Sequence, residues 1–407
     1  LNLTEYEKKQ IQDSKIKSFS FHNNLSHTMH LYKTNPKKKY FSEKGFDKSV
    51  KEYFLYEKEI WKKFFIKNNA SVYFSNGIGF VHSHSACSAI NDIEGVSVLS
   101  QTSYDNQQPV NICSDIFFTF SPDPGNLIAD TSETKYLIKA GYTHDYNFKI
   151  FRNKSKEIRR DLKMRGVKKI IAFFDQGHSG GSSKRGLALS DPRYEYGFIE
   201  SRKDYAFILN KLIDNKWLGL ILKPKKPGSL MFMLAGIQEL FEKAQNTGRM
   251  YINLKTIDSA DRNNENPACV AAMASDLSIH CSPILTTTAG IESFLAITPT
   301  IFLDKMNNHY SKINNDYNKY NVFKDWNTLW SFVNKYFFDN IYKNELGNLN
   351  YIANKIDPFN DGKASLRIFN FLNDLSISKN FKQKEKRIEF AIKNYSKKWG
   401  DDKIIKT

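Results

Sequence analysis

The sequence contains few of the features that would place it in a membrane or in an oxidising compartment. No apolar run approaches the roughly 20 residues of a membrane-spanning helix, and residues 1–17 lack the apolar core of a secretory signal. The four cysteines, Cys87, Cys113, Cys269 and Cys281, form no CxxC pair. We interpret them as reduced thiols, and the sequence therefore predicts a cytoplasmic protein.

Acidic residues are too few to balance the basic ones. The formal net charge is +17, with cations concentrated in 35–54 and 379–407. Such a charge favours an anionic partner, which could be a nucleic acid, a membrane surface or a phosphorylated ligand. A lysine- and asparagine-rich composition spread over solvated faces explains the excess equally well. Because no RRM, KH, helix-turn-helix or zinc-finger pattern is present, we predict no nucleic-acid partner.

Length and composition predict a globular protein of more than one domain. A chain of 407 residues is too long for one ordinary core. Apolar residues make up 41% and aromatic residues 14%, which is enough to pack such cores. We predict domains over 1–150 and 151–356, followed by C-terminal helices and a basic tail over 357–407.

Short β-rich runs characterise the first predicted domain. Residues 50–65 (VKEYFLYEKEIWKKFF) have helical spacing, with apolar side chains on one broad face. From Ser71 onward, the runs SVYF, VSVL and IFFTF predict strands. Residues 133–141 (ETKYLIKAG) are interpreted as a helix. This mixture of strands and helices predicts an α/β fold.

A second alternation of strands and helices follows a basic helix that ends at Gly166. Five buried strands are predicted, at 167–174, 218–223, 249–254, 276–280 and 298–304, with helical segments between them. Strands joined by helical crossovers predict a parallel sheet that is covered on both faces.

The loop after the first of these strands has the residue types of a ligand site. Ligands of an open parallel sheet bind beyond the carboxyl ends of its strands. The run IIAFFDQGHSGGSSKRG places Asp175 at the strand end, followed by His178, several glycines, Lys184 and Arg185. Glycines let the backbone approach a ligand, and exposed N–H groups can cradle phosphate. The run matches neither a P-loop nor GxGxxG, and a solvated loop is the alternative.

Two further strand ends carry residues suited to anions. Lys223 and Lys225, in LILKPKKPGS, could pair with a carboxylate or phosphate, although a surface turn has the same composition. Thr287 and Thr288 precede a predicted helix, whose N-terminus is a ready anion site. Glu292 would favour the dipole of that helix or grip ribose hydroxyls, and an ordinary helix cap is the alternative. Together the three loops predict a nucleotide-type ligand in the second domain.

Several runs resemble a known family. IIAFFD, LILKPKK, AAMASDLSIH, TTAGIESFLAITPTIFLD and DPFNDGKASLRI together resemble bacterial glycosyltransferases that build capsule, O-antigen or other surface polysaccharides. The C-terminal half is similar to UDP-N-acetylglucosamine 2-epimerase-like enzymes, and the resemblance covers about residues 95–370. It implies the GT-B fold, with two Rossmann-like domains facing an interdomain cleft and a C-terminal helix crossing back.

The resemblance also implies a distribution of ligands. A nucleotide sugar would bind the second domain, with its phosphates near Thr287, Thr288 and Gly290 and its ribose at Glu292. The acceptor glycan would bind the first domain. Enzymes of this type use no metal ion or other cofactor, which agrees with the lack of a DxD run or a dense His/Cys cluster. Lys363 or Arg367, in DPFNDGKASLRI, could reach the anionic donor, or this segment could simply begin a helix that packs against the first domain.

Glycosyl transfer needs a group that stabilises the leaving phosphate and another that removes a proton from the acceptor hydroxyl. Asp175 and His178 are the first candidates for the base or for a nucleophile. His144, beside Asp145, is a further candidate. His280 is either a donor-site residue or a histidine at the end of a strand. Whether transfer retains or inverts the anomeric configuration is left open.

The sequence therefore predicts a glycosyltransferase that moves a sugar from a nucleotide sugar to a surface glycan or lipid-linked acceptor. A sugar-nucleotide 2-epimerase or hydrolase on the same fold is the alternative enzyme, and a non-catalytic nucleotide- or glycan-binding module is the alternative from another class. The basic tail suits peripheral docking on an anionic inner membrane leaflet, with Ile388, Phe390, Ala391 and Ile392 as its apolar residues. Packing of that segment on the rest of the chain is the other reading.

Overall fold

A computed structural model describes residues 46–76, 81–102, 110–121, 128–175, 192–225, 230, 234–254, 266–281, 288–305, 321–339, 345–381 and 383–407. The chain divides into two compact units. Unit 1 comprises Leu1–Ser75, Gly79–Val98 and Phe369–Asp401, and unit 2 comprises Asn76–Ile78, Leu99–Ile368 and Asp402–Thr407. The predicted domain boundaries at residues 150 and 356 stay predictions.

The described residues form helices and strands. The helices are α1 (Phe46–Lys67), α2 (Val81–Asn91), α3 (Tyr146–Ile150), α4 (Arg152–Met164), α5 (Pro192–Asp214), α6 (Gln238–Asn246), α7 (Ala268–Ala274), α8 (Thr288–Leu295), α9 (Trp326–Phe338), α10 (Leu349–Ile356), α11 (Ala364–Ile377) and α12 (Lys384–Trp399). The strands are β1 (Val72–Ser75), β2 (Val96–Ser100), β3 (Cys113–Thr119), β4 (Glu133–Lys139), β5 (Lys169–Asp175), β6 (Leu218–Lys223), β7 (Met250–Ile252), β8 (Leu277–Cys281), β9 (Thr300–Leu303), β10 (Val322–Phe323) and β11 (Ile404–Lys406). The α/β class is confirmed.

Helix α1 in unit 1 confirms the helical spacing of residues 50–65. Its aromatic side chains pack together: the Trp61 ring stacks on Phe65 at 5.5 Å and lies 5.8 Å from Tyr73. Phe65 and Ile90 form a buried cluster with small residues of α2. Such aromatic packing buries large apolar areas, so this face holds α1 against α2 and β1.

The first sheet has the strand order β1-β2-β3-β4-β11. Strands β3 and β4 are parallel, whereas β11 runs antiparallel to β4. The interpretation of 133–141 as a helix is wrong, because residues Glu133–Lys139 form strand β4. Partners on both sides satisfy the backbone groups of this segment as sheet ladders, and its exposed and half-buried side chains alternate as a strand's do.

The second sheet has the order β10-β9-β8-β5-β6-β7, and every pair is parallel. Numbered from β5, this is the order 3-2-1-4-5-6 of doubly wound nucleotide-binding folds. Strands β5, β6, β8 and β9 are buried almost throughout, as helices on both faces require. The predicted parallel sheet is therefore confirmed, with β10 as a sixth, short strand.

The basic segment near the C-terminus packs within unit 1. Ile388 and Ala391 on α12 are buried, and the Phe390 ring lies 5.9 Å from that of Phe381. Lys384 donates to the Asn91 side chain at 3.1 Å. The apolar face of α12 therefore packs against the rest of unit 1, which agrees with the alternative interpretation of this segment. Among the described residues, no helix is long and apolar enough to cross a membrane.

Candidate functional site

The strand order of the second sheet defines where a ligand would lie. Strands β5 and β8 are neighbours, and their carboxyl ends meet where Asp175 pairs with Cys281. Successive strands depart from this point in opposite directions, and ligands of doubly wound sheets bind in the crevice that results. His178 and Thr287 follow these two strands directly and lie outside the described residues.

Asp175 ends β5 with both carboxylate oxygens engaged. Oδ2 accepts a hydrogen bond from the Tyr205 hydroxyl at 2.5 Å, and Oδ1 accepts one from the backbone N–H of Lys225 at 2.6 Å. The side chain is 9% exposed. These two bonds orient the Asp175 carboxylate. The residue thus fixes the loop after β6 at the sheet edge.

The two predicted lysines have different environments. Lys223 is buried at the end of β6, and its ammonium donates to the backbone carbonyl of Pro224 at 2.7 Å. The side chain of Lys225 is exposed, while its backbone N–H is held by Asp175. Of these two lysines, Lys225 is the one whose charge faces solvent.

His280 is a buried residue of β8. Its ring stacks on Phe174 with 4.4 Å between centroids, and Nε2 lies 3.1 Å from the Ser293 hydroxyl. Burial lowers the pKa of His280 to about 3, because the charged imidazolium is poorly solvated there. The ring is therefore neutral at physiological pH, and its contacts join β8 to α8.

Helix α8 carries three of the predicted donor-site residues. Thr288 is its first residue and is exposed, while Gly290 is buried. Glu292 is 5% exposed, and Oε1 accepts from the Tyr142 hydroxyl at 2.8 Å while Oε2 accepts from the Cys269 N–H at 2.6 Å. Glu292 thus caps the N-terminus of α7, where a carboxylate also favours the helix dipole.

Tyr142 was not among the predicted site residues, although it connects Glu292 to the segment after β4. It is fully buried, and its ring meets Phe120 edge to face at 5.2 Å. Burial raises its pKa well above the ordinary value, and the neighbouring Glu292 carboxylate adds to this rise. The hydroxyl therefore keeps its proton and acts as a donor. The motif KAGYT was the available signal, because it places a polar-tipped aromatic residue directly after a strand.

Asp357 fixes the same segment from the other side. Its Oδ2 accepts from the Tyr142 N–H at 2.9 Å, and Oδ1 accepts from the N–H of Phe359 and Asn360. Gly141 has φ +87°, and a Cβ there would lie 2.8 Å from Asp357 Oδ1. Only glycine suits this position, both for its backbone and for the approach of the carboxylate.

Arg367 on α11 is the largest fully buried side chain among the residues that the structure describes. Its guanidinium donates to the Ala140 carbonyl at 3.0 Å and pairs with the Asp361 carboxylate at 2.6 Å. It also lies over the Phe359 ring, 3.5 Å from the centroid. Lys363, which was predicted to reach the donor, is exposed at the start of this helix. The DPFNDGKASLRI motif therefore builds a buried charge network.

His144 and Asp145 have opposite environments although they are neighbours. His144 is exposed and lies beside the rings of Tyr142 and Tyr146. Asp145 is 4% exposed; Oδ2 accepts from the Ala364 N–H at 3.2 Å, and Oδ1 has no hydrogen-bond partner among the described residues. Burial, reinforced by the Asp357 charge, raises the pKa of Asp145 to about 7. His144 is the one of the two that a substrate could reach.

Metal ligands do not converge in the described part of the chain, where no group of three or more His, Cys, Asp and Glu side chains could hold an ion.

Comparisons with known proteins give fold-level similarity only. No family model and no curated protein matches the chain. Similar solved structures include S. aureus MnaA in complex with UDP, at 11% identity and a TM-score of 0.43, covering 79% of this chain and 80% of that one. A putative UDP-N-acetylglucosamine 2-epimerase from Listeria monocytogenes has 11% sequence identity and a TM-score of 0.44, and the match covers 82% of this chain and 81% of that one. Anabaena Alr3699/HepE in complex with UDP and glucose has 12% sequence identity and a TM-score of 0.41, and the match covers 81% of this chain and 83% of that one.

Proposed function

We propose that the protein is an enzyme that uses a nucleotide sugar, bound at the carboxyl edge of the second sheet where β5 and β8 meet. The strand order carries this proposal, because doubly wound sheets bind nucleotides at the point where that order reverses. Helix α8 begins beside this edge and adds a helix N-terminus of the kind that binds phosphate.

Within this class, we propose glycosyl transfer to a surface glycan or a lipid-linked acceptor, as the family resemblance implies. A 2-epimerase would need several acids and a histidine around the sugar ring. At the described part of the edge, Glu292 holds protein donors on both oxygens, and His280 is buried and neutral. This arrangement supports transfer over epimerisation.

In the proposed reaction, an acceptor hydroxyl attacks the anomeric carbon, the bond to the leaving phosphate breaks, and a base takes the hydroxyl proton. Asp175 or His178 is the proposed base, with His144 as a further candidate. Lys225 and the N-terminus of α8 would stabilise the charge on the leaving phosphate. We propose that no metal ion takes part. Association with an anionic membrane surface stays a prediction.

A panel of nucleotides tests the proposed ligand class. Saturating CMP, CDP, UDP, GDP or dTDP should raise the thermal unfolding midpoint, since a ligand that binds only the folded state stabilises it by about 2.7 kcal/mol at 100 times its Kd. The shift should persist in EDTA. If no nucleotide of the panel shifts the midpoint, the proposal fails at its first step.

A pair of substitutions separates a catalytic from a structural role of Asp175. Asp175→Asn should reduce transfer by at least about 100-fold while nucleotide binding persists. Tyr205→Phe removes a hydrogen bond to the same carboxylate but leaves the carboxylate itself, so transfer should stay within a few-fold of wild type. Equal losses of transfer in both variants would show that Asp175 acts by holding the fold.

A further inference from the structure

A groove in unit 1 lies outside the proposed nucleotide site. It has a volume of about 460 Å³ and lies between the second half of α11 and the last two turns of α12. Ligand pockets of this kind typically measure about 300–1,000 Å³. Its polar and aromatic lining includes Asn370, Asn373, Asp374, Asn394, Lys397 and Trp399.

Side-chain amides dominate the polar lining of this groove. Asn370, Asn373 and Asn394 each offer donors and an acceptor, and Asp374 adds a carboxylate. A sugar hydroxyl is itself both a donor and an acceptor, so it is matched by an amide next to a carboxylate.

Two of these residues are partly removed from water. Asn370 Nδ2 is inaccessible to solvent and has no hydrogen-bond partner among the described residues. A buried donor without an acceptor is unfavourable, and a rotation of the Asn370 amide toward the groove would let a ligand oxygen satisfy it. Asp374 has a pKa raised by burial, and its partial removal from water strengthens the hydrogen bonds it makes.

One end of the groove combines an aromatic ring with cations. Trp399 is half-buried, and the Lys398 ammonium lies 5.2 Å from its ring centroid. An indole offers an apolar surface on which the C–H face of a sugar ring can pack. Lys397 and Lys398 both line the groove and are exposed, so they can meet a carboxylate on the ligand.

We propose that this groove binds a saccharide, with its hydroxyls held by the asparagines and Asp374, and that Lys397 and Lys398 favour acidic sugars. The proposal does not depend on the nucleotide site, because every lining residue belongs to unit 1.

An array of neutral and acidic oligosaccharides, probed with the labelled 407-residue chain, tests this proposal. Binding to acidic glycans is expected, and it should fall at least tenfold in Trp399→Ala and Asn394→Ala. Lys397→Ala should weaken binding to acidic glycans several-fold, as should raising the salt concentration. Lys393→Ala, one turn earlier on the same helix and outside the groove, is the matched control and should bind as wild type.

Circular dichroism and the thermal unfolding midpoint without ligand report whether each variant is folded. If Trp399→Ala unfolds the protein, Asn394→Ala and Lys397→Ala still test whether the groove binds the glycan. No bound glycan, or unchanged binding in folded groove variants, would overturn the proposal. Equal binding of neutral and acidic glycans would overturn the acidic preference. None of these outcomes alters the nucleotide shift, so the two proposals fail separately.

Discussion

Replacing Arg367 with methionine is expected to destabilise the protein by about 3 kcal/mol, the lower part of the range for breaking a buried ion pair. Methionine fills a similar volume but donates no hydrogen bonds. The Ala140 carbonyl then loses a donor, and the Asp361 carboxylate loses its partner. Asp361 is about one-third exposed, so water recovers part of its solvation and the loss stays below the upper limit of about 5 kcal/mol.

The difference in unfolding free energy between wild type and Arg367→Met, from chemical denaturation, measures this effect. Arg160→Met is the matched control, because Arg160 is exposed and its contact with Asp161 is a surface pair at 3.5 Å. Such pairs contribute about 0–1 kcal/mol. Similar effects of the two substitutions would contradict the structural role given to the Arg367 network.

Glu292→Ala is expected to cost about 2–4 kcal/mol of stability, since it leaves two buried donors without their acceptor. These donors are the Tyr142 hydroxyl and the Cys269 N–H. Loss of the Cys269 contact also removes the cap from α7. Glu292→Gln keeps one side-chain oxygen, which can accept from one of the two donors only, so this variant should lose an intermediate amount of stability.

The same variants separate the structural role of Glu292 from the predicted contact with ribose. If Glu292 only holds Tyr142 and α7, Glu292→Gln should retain the nucleotide affinity of wild type while unfolding more easily. A loss of affinity well beyond that of stability would favour the ribose contact. Glu239→Ala, on the exposed side of α6, should leave both quantities unchanged. Full stability of Glu292→Ala would contradict the hydrogen bonds described.

The second sheet could be predicted closely from the sequence because its strands are buried on both faces. Such strands are continuous apolar runs, as in KIIAFFD and LGLILK, and are visible locally. Their order was not predictable, because neighbours such as β5 and β8 pair across about one hundred residues. The switch point that locates the candidate site depends on that order.

The first sheet shows where local reading fails. Residues 133–139 mix polar and apolar side chains in a way that fits either a helix or a strand. Their partners decide the outcome, and β11 lies more than 260 residues away. The burial of Arg367 could not be predicted for a related reason. Arginine is rarely fully buried unless it is paired, and its hydrogen-bond partner Ala140 is distant in sequence. The roles of Asp175 and Glu292 were predicted from their neighbours in the sequence, whereas their buried hydrogen bonds join them to residues that are distant in the sequence.

Hydrogen–deuterium exchange, with and without the nucleotide that gives the largest thermal shift, tests the nucleotide site most directly. Peptides that cover the carboxyl ends of β5 and β8 and the start of α8, residues 171–181 and 280–295, should exchange more slowly in the presence of nucleotide. Peptides from α1 should be unchanged. Unaltered exchange in both edge segments, or protection confined to other parts of the chain, would contradict a nucleotide site at this sheet edge.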